Sequence, residues 1–216
     1  CAYSTFNFHT KDSLDLYWVE KCELCYELIY SENCYKVLYS QYANNCTDSA
    51  YLFNCVNCHN CLGCINLKNK SYCILNIQYS KEEYETRAKQ IELNNRESRA
   101  KFEKELGALM LQQPFRFAWI YKSVDCTGNN IANSKKCLNC FDIYENAEDL
   151  KNVVIAGWGL RDVRNANHAG HKSELVYDSI IIFDQSAGIK FSAAISTSQR
   201  ITYSWNCRGS QDLFGC

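Results

Sequence analysis

Residues 22–67, CELCYELIYSENCYKVLYSQYANNCTDSAYLFNCVNCHNCLGCINL, carry a three-residue pattern that decides the predicted fold. Starting at Cys22, every third position is small or apolar, and none is charged. These positions are Cys22, Cys25, Leu28, Ser31, Cys34, Val37, Ser40, Ala43, Cys46, Ser49, Leu52, Cys55, Cys58, Cys61, Cys64 and Leu67. The position just before each is mostly polar or aromatic, as at Tyr30, Asn33 and Asn57.

This period fits neither of the regular secondary structures. A helical period of 3.6 drifts out of phase over this length, and a strand period of 2 fails at once. A sustained three-residue phase is typical of a solenoid, whose backbone turns every few residues and points one residue in three inward. The cysteines that recur at a spacing of twelve are Cys22, Cys34, Cys46 and Cys58, and also Cys61 and Cys73. We therefore predict a mainly β fold, a β-solenoid (β-helix-like) with coils of about twelve residues or twice that number.

Composition agrees with a narrow, laddered core. The 216-residue chain contains 15 Cys and 15 Tyr but only one Pro. Cysteine is small and is often buried, so it suits the inside of a narrow coil. The formal net charge of −1 gives the chain no overall attraction for nucleic acid or for an anionic membrane.

A segment without cysteine separates two cysteine-bearing segments. Residues 80–113, SKEEYETRAKQIELNNRESRAKFEKELGALMLQQ, are dominated by strong helix formers. Ser80 followed by Glu83 predicts a capping box, and the LNNRES break predicts two helices or one kinked helix. We expect a helical hairpin over 79–113 that packs against or caps a face of the solenoid. The predicted domains are thus a Cys-rich solenoid segment at 1–78, this insert, and a second solenoid segment at 114–216.

The second solenoid segment reads as a truncated duplicate of the first. Cys55 and Cys64 match Cys207 and Cys216 in the alignment of the two copies. One inserted residue is predicted near 195–197, and the inward phase before it is predicted to pass through Gly188, Phe191 and Ala194. Because the first copy continues beyond Cys64, we expect the parent protein to continue beyond Cys216 with another strand and helix. A start at Cys rather than Met predicts a processed or fragmentary chain.

The sequence also resembles a known family. NCVNCHNCLGCINLKNKSYCILNIQYSKEEYE at 54–85 and DCTGNNIANSKKCLNCFDIYENAEDL at 125–150 are similar to Cys-rich repeat proteins of environmental bacteria. These are hypothetical proteins that are sometimes loosely labelled zinc-binding. The resemblance covers nearly the whole chain, and it implies a repeat fold without implying an activity. Leu150 and Val153 stand where the resemblance leads us to expect further cysteines.

Cys55, Cys58, Cys61 and Cys64 are the candidate metal ligands, with zinc as the metal. Their C-x-x-C spacing is that of zinc half-knuckles and is close to a ferredoxin run, although the last gap is one residue short. The duplicate argues against a shared site, because Cys58 aligns with Ser210 and Cys61 aligns with Leu213, which cannot ligate a metal. Buried structural thiols, metal ligands and disulfides all remain open interpretations at this point.

The histidines and the other short motifs give no convincing catalytic site. His59 occupies an outward phase, which indicates a surface side chain. His168 and His171 flank Gly170, so we expect loop histidines rather than a metal pair.

The predicted role is a non-enzymatic scaffold or binding module that presents a Tyr- and Asn-rich surface to a protein or polymer partner. The alternative is a zinc-binding module, with nucleic acid as a further partner, and an iron–sulfur enzyme is the third interpretation. Basic residues are too sparse beside the tyrosines to favour nucleic acid. We expect no membrane association, self-association through the solenoid ends, and a cytoplasmic location with reduced thiols.

Overall fold

The chain is mainly β and contains two helices in the computed structural model, which describes residues 3–216. The described residues form two compact units, one that ends at Pro114 and one at Phe115–Cys216. A nine-stranded sheet lies in the first unit and an eleven-stranded sheet lies in the second. None of the helices in residues 3–216 is long and apolar enough to cross a membrane.

The first unit contains nine strands and both helices. The strands are β1 (Thr5–Phe8), β2 (Leu14–Glu20), β3 (Tyr26–Glu32), β4 (Tyr35–Asn44), β5 (Thr47–Ala50), β6 (Phe53–Val56), β7 (His59–Leu62), β8 (Ser71–Ile74) and β9 (Ile77–Gln78). All of these strands pair in parallel except β8 with β9. The parallel register is twelve residues, as in the line of partners Thr5, Tyr17, Ile29, Gln41, Phe53 and Ile65. Twelve is the spacing at which the cysteines of this segment recur.

A left-handed backbone conformation at every third residue creates this register. The φ angle is +54° at Asn33, +54° at Asn45 and +53° at Asn57, and the same sign recurs three residues apart through most of both units. Each such residue, here called a corner position, changes the direction of the chain after two extended residues. Asn and Asp tolerate this region better than most residues, which explains why they are frequent at the corners.

The residue after each corner, here called an inward position, points into the core. All fifteen inward positions from Cys22 to Cys64 are buried, and Leu67 is partly buried. The predicted phase of this segment is therefore confirmed. Burial of these positions in one packed core explains the absence of charged residues among them.

The second unit repeats the arrangement with less regular steps. Its strands are β10 (Ile120–Tyr121), β11 (Gly128–Ala132), β12 (Lys135–Leu138), β13 (Cys140–Tyr144), β14 (Glu148–Gly157), β15 (Arg161–Ala169), β16 (Glu174–Phe183), β17 (Ala187–Lys190), β18 (Ala193–Ser196), β19 (Gln199–Thr202) and β20 (Gln211–Phe214). All pairs are parallel. The register offset is thirteen residues from Glu148 to Arg161 and twelve residues from Ile189 to Ile201.

The predicted phase is wrong in one part of the second unit. The buried positions there are Ser186, Ile189, Ser192 and Ile195, whereas Phe191 is 42% exposed and Ala194 lies at a corner. The extra residue is located at Asp184–Gln185, not at 195–197. Both of these residues have positive φ angles, so a corner of two residues absorbs the insertion and resets the phase before Ser186.

The two helices of the first unit pack on the last strands of its sheet. Helix α1 is Lys81–Gln90 and helix α2 is Arg96–Gln112, so the break predicted at LNNRES separates them. The predicted capping box is present: Ser80 Oγ accepts from the Glu83 amide at 3.2 Å, and Glu83 accepts from the Ser80 amide at 3.1 Å. Phe102 of α2 is 3% exposed and packs with Leu62 and Ile74, which anchors the helical segment.

Candidate functional site

The four predicted ligands occupy successive inward positions that lie within one twelve-residue register step. Cys55, Cys58, Cys61 and Cys64 are each 0% exposed and carry free thiols. Their neighbours in the same core are Cys46, twelve residues before Cys58, and Cys73, twelve residues after Cys61. The structure therefore brings all four predicted residues into one buried group, here called the thiol cluster, which also includes Cys46 and Cys73.

Backbone carbonyls surround the thiols of the cluster. Cys55 Sγ lies 3.5 Å from Phe53 O and 3.3 Å from Cys64 O. Cys58 and Cys61 repeat the pattern, with carbonyls two residues before and nine residues after each cysteine. A thiol at an inward position thus has an acceptor for its proton, which makes cysteine a satisfied core residue without a ligand.

The thiols also interact with one another, and Cys58 lies at their centre. Hydrogen bonds from Cys46, Cys55 and Cys61 lower the pKa of the Cys58 thiol. The same contacts, together with burial, raise the pKa of Cys46 and Cys55. The hydrogen bond from Cys61 also lowers the pKa of Cys64, so the S–H groups of neighbouring cysteines favour negative charge at Cys58 and Cys64 within the cluster.

The donor set suits a soft metal, but its arrangement is that of hydrogen-bonded thiols. Four cysteine sulfurs match the ligand chemistry of zinc and of iron–sulfur clusters. Within residues 3–216, no group of three or more His, Cys, Asp and Glu side chains is arranged to hold a metal ion. Metal binding would also replace the thiol-to-carbonyl contacts and require thiolates. The zinc assignment of the thiol cluster stays a prediction.

Serine residues at inward positions connect successive register steps, a role that was not predicted from the sequence. Ser49 Oγ donates to Thr47 O at 2.7 Å and accepts from the Cys61 amide at 3.0 Å. Ser198 does the same with Ser196 O and the Ser210 amide. The recurrence of small hydroxyl residues in the inward phase was the signal that could have revealed this role.

Polar ladders follow the corners of the sheet. Asn33 donates to Asn45 at 3.1 Å, and Asn57 donates to Asn69 at 2.8 Å. In the second unit, a ladder with hydrogen bonds of 2.9 Å runs through Asn139, Asn152 and Asn165. Each amide satisfies the next one along the sheet, so these side chains stabilise and order the surface.

Aromatic ladders lie beside them. Tyr30 stacks on Tyr42 with ring centroids 5.3 Å apart, and Tyr39 stacks on Tyr51 at 4.9 Å. Such pairs add to stability beyond the area that they bury. Tyr51 also donates from its hydroxyl to Glu103 Oε1 of α2 at 3.2 Å, which joins the ladder to the helix.

The Tyr39–Tyr51 ladder forms one wall of a groove with a volume of about 680 Å³. Asp15, Glu27, Tyr39 and Tyr51 occupy corner positions that are twelve residues apart, a set here called the corner column. Arg99 and Glu103 of α2 close one end of the groove. No motif in the sequence indicated this groove, because the column and the helix meet only in the folded unit. It is the site that sequence reasoning missed.

The histidines do not form a site. His59 is exposed, as predicted, and its Nδ1 lies 2.9 Å from Thr47 Oγ1. His168 lies in β15, so its assignment to a loop was wrong, because the strand extends to Ala169. His171 lies beyond the strand and stacks on Trp158 with ring centroids 4.6 Å apart.

No protein-family model matches the sequence. No curated protein matches it either.

Proposed function

We propose that the chain is a β-solenoid scaffold that presents an ordered Tyr- and Asn-rich surface to a protein or polymer partner. The parallel register carries this proposal: strands pair at steps of twelve residues in the first unit and mostly twelve or thirteen in the second. A corner at every third residue and a buried side chain after it agree with a chain that winds around a narrow core.

The ladders support a binding role rather than a catalytic one. Their side chains are already paired, so a partner that contacts them orders few additional rotamers on this surface. Repetition at about 4.8 Å per step offers the same chemical groups many times along one line. An elongated partner with its own repeat, such as an extended polypeptide or another polymer, matches such a surface better than a compact small molecule does.

The test is a binding panel on the intact chain. Immobilised poly-L-lysine, poly-L-glutamate, dextran and single-stranded DNA are each titrated with the protein in a surface-binding assay at two salt concentrations. We expect saturable binding to at least one polymer and weak binding to DNA. If none of the four polymers is bound at micromolar protein concentration, the binding role is contradicted.

A separate structural test addresses the solenoid itself. A crystal structure is expected to contain the twelve-residue register in the first unit. A different register, or antiparallel pairing of β2 with β3, would contradict the proposed fold.

A zinc-binding module is the second candidate, and the burial of four C-x-x-C cysteines in one register step favours it. The test is metal analysis of protein purified without added zinc or iron, followed by thermal unfolding with and without a chelator. A melting temperature that falls with chelator would support zinc, and a brown colour with visible absorbance would support an iron–sulfur cluster. An intact fold without stoichiometric metal would remove both.

We further infer a cytoplasmic setting, because the fourteen described cysteines carry free thiols and most of them are buried. Thiols persist most readily in a reducing compartment. Fractionation of cells that produce the protein would test this inference, and recovery from an oxidising compartment would contradict it.

A further inference from the structure

The groove beside the Tyr39–Tyr51 ladder carries unneutralised negative charge. Asp15 and Glu27 are twelve residues apart and lie at successive corners, so their carboxylates project from neighbouring strands. Like charges on opposite residues of neighbouring strands destabilise a sheet. Within residues 3–216, neither carboxylate forms an ion pair. A bound cation would remove the repulsion that the fold leaves in place.

The far end of the groove is also rich in acceptors. Glu103 contributes a third carboxylate, and Arg99 lies 3.9 Å from it as the one cation among the lining residues. Three carboxylates and one guanidinium leave a net charge of −2 on the groove. Glu27 also forms a hydrogen bond with Tyr26 that raises the pKa of this phenol to about 12, so Tyr26 is neutral at physiological pH.

The aromatic wall offers edges and hydroxyl groups rather than open ring faces. Tyr39 and Tyr51 each cover one face of the other at an interplanar angle of 22°, Tyr26 and Tyr39 meet edge to face at 85°, and Tyr51 and Phe102 meet edge to face at 69°. A sugar ring needs a free aromatic face on which to stack, so this wall does not favour a polysaccharide. Carboxylates and phenol oxygens instead match the N–H donors of ammonium and guanidinium groups.

The length of the groove suits an extended chain. Asp15 and Tyr51 are three register steps apart, which is roughly 14 Å at the usual spacing between strands. An extended polypeptide rises about 3.3 Å per residue, so about four residues span this distance.

We propose that this groove binds an extended lysine- and arginine-rich segment of a partner polypeptide. The inference rests on the proposed scaffold function and names the chemical class of its partner. The cationic side chains pair with Asp15 and Glu27, while the aliphatic stems lie against the Tyr39–Tyr51 ladder.

The experiment uses the full chain and fluorescently labelled peptides. Hexalysine and hexaarginine are titrated by fluorescence anisotropy, with hexaglutamate and a Gly–Ser hexapeptide as negative probes and maltohexaose as a competitor. The double variant Asp15→Asn and Glu27→Gln removes both carboxylates but keeps the size of each side chain. Asn is also well tolerated at the φ of +54° of position 15. The matched control, Glu32→Gln with Glu148→Gln, removes two carboxylates outside the groove.

We expect the double variant to weaken hexalysine binding about tenfold, because two exposed ion pairs of a few-fold each are lost. The control is expected to change the Kd less than twofold, and higher salt is expected to weaken wild-type binding. Equal weakening by both variants, an unchanged Kd in the groove variant, tight binding of the Gly–Ser peptide, or competition by maltohexaose would each overturn the proposal. Groove-independent binding of hexalysine would leave the scaffold function intact, whereas a lack of binding to every polymer and peptide would contradict both.

Discussion

Replacement of Gly63 by Ala tests how the helical segment is joined to the sheet. Gly63 occupies a corner with a φ of +63°, and a Cβ atom there would lie 2.5 Å from Phe102 Cζ and 3.1 Å from Leu75 Cδ2. Phe102 is the buried anchor of α2, so it has little room to retreat. The substitution therefore adds a left-handed alanine and a steric clash at the same position.

A second glycine separates these two contributions. Gly209 occupies a corner with a φ of +59°, and a Cβ atom there would meet nothing within 4 Å. Both substitutions carry the cost of a left-handed alanine, about 1–2 kcal/mol. Only Gly63→Ala adds overpacking, about 1–3 kcal/mol. We expect a loss of about 2–5 kcal/mol for Gly63→Ala and about 1–2 kcal/mol for Gly209→Ala.

Hydrogen exchange measured by mass spectrometry gives the local free energy of opening in each unit separately. Peptides from β7–β8 report on Gly63, and peptides from β19–β20 report on Gly209. In a Phe102→Leu background, which removes the clashing ring, the free energy that Gly63→Ala costs is expected to shrink to the cost of the left-handed alanine. Equal losses of free energy at the two glycines would refute the reasoning. The same loss for Gly63→Ala in the wild-type and Phe102→Leu backgrounds would refute it as well.

Three further predictions concern the core and the ladder. Ser49→Ala leaves the buried Cys61 amide without its acceptor and is expected to destabilise the first unit by about 1–3 kcal/mol in guanidinium unfolding, whereas Ser49→Cys should cost less. Burial and the hydrogen bond to Glu103 raise the pKa of Tyr51 to about 12. The protonated phenol therefore stabilises the folded state fully below pH 10, and this stabilisation is lost as pH rises toward 12. Tyr51→Phe is expected to remove this loss of stability between pH 10 and pH 12, and an unchanged loss in the variant would contradict the prediction. In native protein, iodoacetamide is expected to modify the exposed Cys216 but not the buried Cys58, and equal labelling of both would contradict the packing.

The inward phase of the first unit could be predicted because it is local and repeated. Each triplet from Cys22 to Cys64 obeys the same rule, so an error at one position is corrected by its neighbours. The capping box at Ser80 and Glu83 was equally readable, since its two partners lie within one helical turn. Burial confirms all of these inward positions.

The phase of the second unit was harder to predict. A corner accepts one residue or two, as Asp184 and Gln185 show, and either choice leaves the following triplets looking regular. The sequence marks that an insertion exists, but parallel pairing with the neighbouring strand decides where it is absorbed. The assignment of Phe191 to the core failed for this reason.

The sequence alone determined the period, the small or apolar inward residues and the mostly polar or aromatic corners, because burial and a left-handed backbone restrict each residue by itself. Only the tertiary structure decided which groups meet across turns and elements. The contacts of the thiol cluster, the approach of Phe102 to Gly63 and the groove between the tyrosine ladder and α2 join residues from different parts of the chain. Such contacts depend on register and helix placement, which no single triplet specifies.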